Sequence, residues 1–388
     1  MDASLFISRR LRFKGGIAMA SVAVSFLVMI IAVAVSSGFR NEIRNGLSSI
    51  SGDIQLTPPN LNVLDSSRPI ERNPSYIPYL MNVDGVEAVV PAIYRAGIIK
   101  QGDNIHGVLF KGIEGGVDTL ALGVSVPKRL AEIAGVSVGD KLTTYFIGDK
   151  IRLRQFTVAN VYDALIQTDD KLMVYADLAD LQRLDGWNEN QVSALEILMD
   201  DSYRSEDYIW EATQEIGALV NAYSADNEAP VVAVSSVSKY PQLFDWLELI
   251  DFNVLFILLL MTIVAGFNMI SGLLIMLFKN ISTIGLLKAL GMTDKSISKV
   301  FLSSSAVLVL KGMAIGNALA FLFCFIQEKT HVLKMNPENY FVSFVPVDIN
   351  VWTVLAADLV SFAVILLLLL IPTIFISKVD PAQTVRVK

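Results

Sequence analysis

The side chains that most often perform chemistry are scarce in this chain of 388 residues. Cys324 is the one cysteine, and His106 and His331 are the two histidines, so neither a disulfide framework nor a thiolate zinc site can be built. The chain does not contain the phosphate-binding motif G-x-x-x-x-G-K-[ST]. We therefore expect no catalytic residue, no metal and no bound cofactor in the chain itself.

Two ionisable residues lie inside otherwise uncharged apolar segments. Lys311 interrupts the segment 300–327, and Asp358 interrupts the segment 349–377. A charge in the hydrocarbon of a membrane is costly and tends to be paired or to line a cavity. Counted along helices from the segment ends, the two depths differ by roughly 10 Å, and the long lysine side chain can span part of that distance. A direct ion pair and separate partners are the two alternatives.

The sequence has four long apolar segments: 17–39, 252–278, 300–327 and 349–377. The last two contain Lys311 and Asp358. A bilayer core about 30 Å thick needs about 20 apolar residues in a helix, and only a helix satisfies its own backbone there. We predict four transmembrane helices. A cleaved signal peptide is the alternative for the first segment, but its length exceeds the roughly 7–15 residues of a signal core, which favours an uncleaved anchor.

Basic and acidic stretches alternate between these apolar segments. Residues 1–16 and 279–299 each carry a net charge of +3 and residues 378–388 carry +2, whereas 40–250 carry −13 and 328–348 carry −1. Positive charge marks the cytoplasmic side. We therefore predict cytoplasmic termini and an extracytoplasmic (periplasmic) location for 40–250, with a short periplasmic loop at 328–348. A net charge of −7 for the whole chain excludes a general nucleic-acid binder.

The segment 40–250 is long enough for one or two packed domains and mixes two kinds of pattern. The predicted helices are 126–135, 176–186 and 200–223, and the predicted β-rich stretches are 87–100, 104–113 and 138–163, with turns at Gly102-Asp103 and Gly148-Asp149. The fold class predicted for the whole chain is therefore a membrane protein of four transmembrane α-helices. A large α+β extracytoplasmic domain is inserted between helices 1 and 2.

The cytoplasmic loop 279–299 is predicted to contain a short helix over 281–290. Asn280 can cap its start, and Gly291 suits the left-handed residue that ends it. The residues of interest in this helix are Ile281, Ile284, Leu287, Lys288 and Leu290. One interpretation is an amphipathic helix resting on lipid; the other is a lever that contacts a cytoplasmic partner and transmits force.

Two further segments are suited to contact with lipid or with another helix. Residues 1–16 combine apolar side chains with four cations, which predicts a cytoplasmic amphipathic elbow on anionic membrane lipid. Gly312 and Gly316 form a GxxxG pattern, which lets two helix backbones approach closely. Packing within the bundle and contact with a second subunit are both open for these glycines.

The arrangement of segments resembles the FtsX/MacB-type superfamily of ABC transporter permeases, and within it the lipoprotein-release permeases of the LolC/LolE type. The resemblance covers nearly the whole chain. The sequences that carry it are RRLR (9–12) with SSGFRNEIRNGLSSISGDIQL (36–56), RLAEIAGVSVGDKL (129–142), FNMIS (267–271) with IGLLKALGMT (284–293), NPENY (336–340) with VPV (345–347), and VDPAQTVRVK (379–388).

The resemblance implies a subunit of the bacterial inner (cytoplasmic) membrane that works as a dimer with a second permease, the same or different. Two cytoplasmic ABC ATPase subunits would bind ATP and Mg, and helix 281–290 with Gly291 would dock on them. A lipoprotein would enter from the outer leaflet between the first and second spans and pass to a periplasmic chaperone. The apolar residues at that place are Val33, Val35, Phe39, Phe252, Leu255, Phe256 and Leu259. The alternative is that they are ordinary lipid-facing side chains.

The function implied by the resemblance is the coupling of ATP hydrolysis to extraction of lipoproteins from the inner membrane for delivery to the outer membrane. One alternative is a mechanotransmitting permease of the MacB/FtsX kind that drives efflux or a cell-envelope partner. Another is a membrane-tethered scaffold without transport. A co-purifying ATPase separates the scaffold from the other two.

Overall fold

The computed structural model describes residues 16–377 apart from 60, 65–67, 102–103, 116–121, 149–150, 165–171, 337–339 and 341. The chain forms two compact units. The helical unit comprises the described parts of 16–40, 247–333 and 345–377, and the sheet unit comprises those of 41–246 and 334–344. The predicted elbow up to residue 15, the predicted turn 102–103, Asp149 and the predicted tail 378–388 lie outside the described residues.

In chain order, the elements are α1 (Gly16–Ser51), β1 (Ile54–Thr57), β2 (Ile70–Glu71), α2 (Ile77–Leu80), β3 (Val86–Gln101), β4 (Asn104–Ile113), β5 (Gly123–Pro127), α3 (Lys128–Ala134), β6 (Lys141–Phe146), β7 (Arg152–Tyr162), β8 (Met173–Asp177), α4 (Leu178–Asp185), β9 (Gln191–Val192), β10 (Ala194–Met199), α5 (Glu206–Tyr223), β11 (Val232–Ser235), α6 (Ser236–Lys239), α7 (Pro241–Lys279), α8 (Ile281–Ala289), α9 (Asp294–Thr330), α10 (Val351–Leu368) and α11 (Leu370–Ser377). A 3₁₀ turn at Asp201–Tyr203 precedes α5.

Among the described residues, four helical segments are long and apolar enough to cross a membrane: α1, α7, α9 and the segment Val351–Ile374 in α10 and α11. They correspond to the four apolar segments of the sequence. On α1, Val22, Phe26, Met29 and Ile30 are fully buried, and successive turns each contribute at least one of them, so one face of this helix contributes to the core of the helical unit.

Small and polar side chains mark the helix contacts of this unit. Asn268 on α7 donates a hydrogen bond to the hydroxyl of Ser21 on α1. The hydroxyls of Thr262 on α7 and Ser361 on α10 are 3.1 Å apart. A Cβ on Gly272 of α7 would lie 3.0 Å from the side chain of Ala18. Because lipid is as apolar as a leucine side chain, such close packing and polar contacts hold membrane helices together.

The sheet unit contains a nine-stranded mixed sheet in the order β11-β1-β10-β3-β4-β8-β5-β7-β6. The long strand β3 pairs with β10 through its first half and with β6 through its second half, so β3, β4, β8, β5, β7 and β6 close into a ring. The pairs β4–β8 and β5–β7 are parallel. Phe110, Phe146 and Phe156 pack together at ring-centroid distances of 5.1–6.1 Å as part of the main core of this unit.

Helix boundaries in this unit follow local capping chemistry. Helix α4 begins after Asp177, whose side chain accepts from the amide of Ala179, and ends at Gly186 with φ of 76°, close to the predicted 176–186. The prediction of one helix over 200–223 was wrong at its start. The Asp200 carboxylate accepts from the Ser202 amide in the 3₁₀ turn, and α5 begins only after Ser205, because serine and aspartate favour capping over the helix interior.

Candidate functional site

The short helix α8 lies between the two long apolar helices α7 and α9. It ends near Gly291, whose φ of +86° is the left-handed conformation that glycine adopts without strain. The Thr293 side chain then accepts from the amide of Ser296 and caps α9. The predicted side-chain cap by Asn280 was wrong, because its Nδ2 donates instead to the carbonyl of Met276 at 2.9 Å. Helix α8 is therefore held between two turns.

One side of α8 is committed to its own chain. Ile284 is buried in the core of the helical unit, and Leu287 packs against the same core. Lys288 Nζ lies 2.9 Å from Asp294 Oδ1 in the first turn of α9. Of the residues predicted to dock on a partner, Ile284, Leu287 and Lys288 therefore fix the helix in place.

The other side of α8 is apolar and exposed. Leu290 is 75% exposed and Leu286 is 55% exposed. Ile281, at the start of the helix, is 37% exposed. Leu286 and Leu290 are four residues apart, so they are neighbours on the helix surface. The spacing of Ile281, Ile284 and Leu287 predicts one apolar stripe that does not include Leu286, although the i, i+4 pair of Leu286 and Leu290 was the available signal. Helix α8 has apolar side chains on two faces and is not simply amphipathic.

The apolar residues predicted to receive lipid fall into two groups. Phe252, Leu255, Phe256 and Leu259 on α7 are each more than half exposed and follow one helix face. On α1, by contrast, Val33 and Phe39 are buried, and Val35 is half-buried. The exposed apolar stripe therefore belongs to α7, while α1 faces its neighbours at Val33 and Phe39.

Polar contacts join α1 and α7 next to that stripe. Arg40 forms an ion pair with Asp251, and the hydroxyl of Ser36 donates a hydrogen bond to the same carboxylate. Arg40 is a basic residue at the edge of the acidic segment 40–250, and the ion pair places its charge against a carboxylate. The contact also fixes the start of the exposed face of α7.

The two charges inside the apolar segments have different surroundings. Asp358 is buried, and its Oδ2 accepts a hydrogen bond of 2.6 Å from Asn317 Nδ2 on α9. Lys311 is exposed on α9, and in the part of the chain that the structure describes no ion pair joins it to Asp358. The partner of Asp358 is thus the side-chain amide of Asn317, which lies more than one helical turn beyond Lys311 on α9. Counting depths along the sequence did not identify Asn317.

We expect Asn317→Leu to destabilise the helical unit, because it leaves a buried carboxyl group without its donor. Losing one partner of a buried pair costs about 1–3 kcal/mol, whereas replacing both partners by apolar groups can be nearly neutral. Thermal unfolding in detergent should show a lower midpoint for Asn317→Leu and partial recovery for Asn317→Leu combined with Asp358→Leu. No recovery in the double variant would contradict this assignment.

Gly312 and Gly316 lie where α9 contacts α1. A Cβ on Gly312 would come within 2.9 Å of the carbonyl oxygen of Met19. A Cβ on Gly316 would lie 2.5 Å from the carbonyl oxygen of Ala23 and 2.9 Å from the Cβ of Phe26. These separations are too short for any side chain, so glycine at both positions lets the two helices touch.

Among the described residues, no group of three or more His, Cys, Asp or Glu side chains is placed to hold a metal ion. The features that stand out are instead surfaces: the exposed leucines of α8 and the apolar stripe of α7. Such surfaces suit contact with another protein or with lipid rather than bond-making chemistry.

Two family models match the chain. The model described as FtsX-like permease C-terminal matches residues 255–381, which include α8, α9 and α10. The model described as MacB-like periplasmic core domain matches residues 16–219, more than half of the chain.

Curated relatives match along almost the full length. The chain is 22% identical to the lipoprotein-releasing system transmembrane protein LolC of Neisseria meningitidis serogroup B, over 95% of this chain and 93% of the relative. It is 21% identical to LolE of Haemophilus influenzae, over 93% of this chain and 91% of the relative. The crystal structure of the periplasmic region of MacB from Actinobacillus actinomycetemcomitans aligns with 52% of this chain and 95% of that chain, at 14% identity and a TM-score of 0.31.

Proposed function

Because this chain belongs to the family of FtsX-like ABC transporter permeases with a MacB-like periplasmic core domain, we propose that it couples ATP hydrolysis in a separate subunit to the release of lipoproteins from the inner membrane. Membership of the family implies a multi-pass inner-membrane protein with an ATPase partner and a permease partner. The relatives named as lipoprotein-releasing proteins support lipoproteins as the substrate class.

The observation that carries the coupling role is the two-sided character of α8. Ile284 and Leu287 pack on the helical unit, while Leu286 and Leu290 are exposed. A helix that packs on its own chain through one side can bind a partner through its other, apolar side and transmit the partner's movement to α7 and α9. In the proposed arrangement α8 lies on the cytoplasmic side together with both termini, and ATP and Mg are bound by the partner ATPase.

The sheet unit is, in this proposal, the periplasmic part that responds to the ATPase. A lipid-anchored protein must leave hydrocarbon, and each methylene removed from it costs about 0.8 kcal/mol. Extraction therefore needs both an energy source and an apolar surface that receives the acyl chains. The exposed stripe Phe252, Leu255, Phe256 and Leu259 on α7 is that surface in the proposal. A soluble periplasmic chaperone would then accept the lipoprotein.

A second candidate function is mechanical transmission without passage of a substrate along this chain. The match of residues 16–219 to the MacB-like periplasmic core favours it specifically, because that match describes the periplasmic part and not a lipid path. In that case the movement of the sheet unit would drive an efflux or cell-envelope partner.

Photo-crosslinking at α7 separates these two functions. We expect a benzoyl-phenylalanine at position 256, where Phe256 is 56% exposed, to crosslink to a lipoprotein in cells. The matched control is the same probe at position 359 of α10, where Leu359 is 71% exposed and should meet only lipid. Equal crosslinking at both positions, or none at either, would count against the lipoprotein path.

Co-purification in mild detergent tests the remaining alternative. An ABC ATPase that co-purifies with the chain is expected under both transport functions. Its absence would instead support a tethered scaffold without transport.

A further inference from the structure

The sheet unit contains a partly open cleft of about 730 Å³ on the outer face of the strand ring. Because side chains alternate across a strand, the residues of β3 and β4 that do not join the phenylalanine core point to this side. The apolar residues that characterise the cleft are Ile50, Val63, Ala96, Leu109, Met173 and Val234. A volume of this size is within the range of small-molecule sites.

The cleft is apolar along most of its length and polar at one end. Gln55 of β1 and Lys239 at the end of α6 both line it, and Lys239 Nζ donates to Gln55 Oε1 at 2.8 Å. The same ammonium group lies 5.6 Å from the ring centroid of Tyr94. An apolar space with polar groups at one end matches an amphiphile rather than a polar metabolite.

Gln55 provides a second and independent observation. Its side chain is 2% exposed, and its Nε2 has no hydrogen-bond partner among the described residues. The donation from Lys239 to Oε1 fixes which end of the amide is the donor, because a reversed amide would turn its NH₂ toward the ammonium group. Buried donors are almost always satisfied, so this one points to an acceptor oxygen supplied by a ligand.

The charges beside the cleft favour an anionic or carbonyl head group. Glu196 is paired with Lys111 at 2.8 Å, and the hydroxyl of Tyr94 donates to the same carboxylate. Burial raises the pKa of Glu196, and the neighbouring Lys111 opposes that rise. Lys239 also acts electrostatically on Glu196, and the two ammonium groups and one carboxylate named here sum to a charge of +1.

We propose that this cleft binds the acyl chain of a lipid, with the carboxylate or carbonyl oxygen at the head of the chain accepting hydrogen bonds from Gln55 and Lys239. The apolar residues contact the methylene groups of the ligand. Leu64 and Ile147 also line the cleft, and they are 48% and 42% exposed. The bound acyl chain is either that of a free fatty acid or that of an acyl group joined to a larger lipid. The site goes beyond the proposed transport function and does not depend on it.

The test uses the full chain in phosphatidylcholine nanodiscs with palmitic acid that carries a diazirine on its alkyl chain. After illumination, mass spectrometry should find label on peptides containing Leu109 and Met173, and unlabelled palmitate should suppress it. Ala96→Trp fills the cleft and should remove most of that label. Ile151→Trp is the matched control, because Ile151 is 72% exposed and lies outside the cleft; it should label as the parent does.

Gln55→Leu tests the polar end with little change of side-chain size. We expect about tenfold weaker competition by palmitate, the loss that follows from one hydrogen bond to a charged group. Unchanged competition in Gln55→Leu, or label confined to the helical unit in the parent chain, would overturn the proposal. A diazirine-bearing N-palmitoyl peptide amide distinguishes the sources: equal labelling identifies an acyl group of a larger lipid, and labelling by the acid alone identifies a fatty acid.

Discussion

Replacing both Leu286 and Leu290 by aspartate should abolish stable association with the partner ATPase while leaving the chain folded in the membrane. Leu286 and Leu290 are 55% and 75% exposed, so the change removes little packing within the chain. Burying one leucine at an interface is worth about 1.5–3 kcal/mol, and 1.4 kcal/mol is tenfold in affinity. We therefore expect the amount of co-purified ATPase to fall by more than about tenfold, measured in mild detergent.

The control for this variant keeps the apolar character of the surface. Leu286→Met combined with Leu290→Met should retain the ATPase, because methionine fills a similar volume and adapts to irregular surfaces. Ile284→Asp is informative in a different way. Ile284 is buried, so that variant should lower the stability of the chain itself. An ATPase that remains bound to the double aspartate variant would show that α8 does not form the docking surface.

Gly316→Leu should be the most damaging single substitution in the helical unit. Even a Cβ at this position would lie 2.5 Å from the carbonyl oxygen of Ala23 and 2.9 Å from the Cβ of Phe26, so α1 and α9 must move apart. Overpacking of this kind costs about 1–3 kcal/mol, and loss of the close helix contact adds to it. Thermal unfolding in detergent should show a clearly lower midpoint and less folded protein.

Ala314→Leu is the matched control for that substitution. Ala314 lies two residues away on α9 and is exposed, so a leucine there adds the same kind of side chain without reaching α1. Its unfolding midpoint should equal that of the parent chain. A Gly316→Leu variant as stable as Ala314→Leu would mean that the close approach of α1 and α9 is not needed for folding.

The sequence predicted the four apolar segments but not the full length of their helices, because α1 continues to Ser51 and α7 begins at Pro241. It predicted helix ends well where one local rule decides the outcome. Length and apolarity predicted the four long helices, Gly291 marks the end of α8 as predicted, and Gly186 ends α4 at the predicted boundary. The prediction from sequence failed where one side chain has two possible local hydrogen-bond partners. The side chain of Asn280 can cap α8 or bind the carbonyl of Met276, and only the surrounding structure selects the second.

Much of the candidate site could not be predicted because it depends on which side of a helix faces its own chain. Ile284 and Leu286 have similar apolarity, yet one is buried and the other exposed. Periodicity cannot separate them when both faces of α8 are apolar. The partner of Asp358 could not be predicted from its depth along the helix, because Asn317 is uncharged and was not a candidate for an ion pair. The cleft of the sheet unit is lined by residues of β1, β3 and β4, and β1 is far from the other two in the sequence, so no local pattern predicts it.

The most direct test of the account is ATP-dependent release of a lipoprotein from proteoliposomes that contain the chain, its permease partner and the co-purifying ATPase. We expect lipoprotein to move to the soluble fraction, in the presence of a periplasmic acceptor, only with ATP. We also expect the double aspartate variant of Leu286 and Leu290 to stop release, whereas the double methionine variant should not. Release that proceeds without ATP, or that is unchanged in the aspartate variant, would contradict the account.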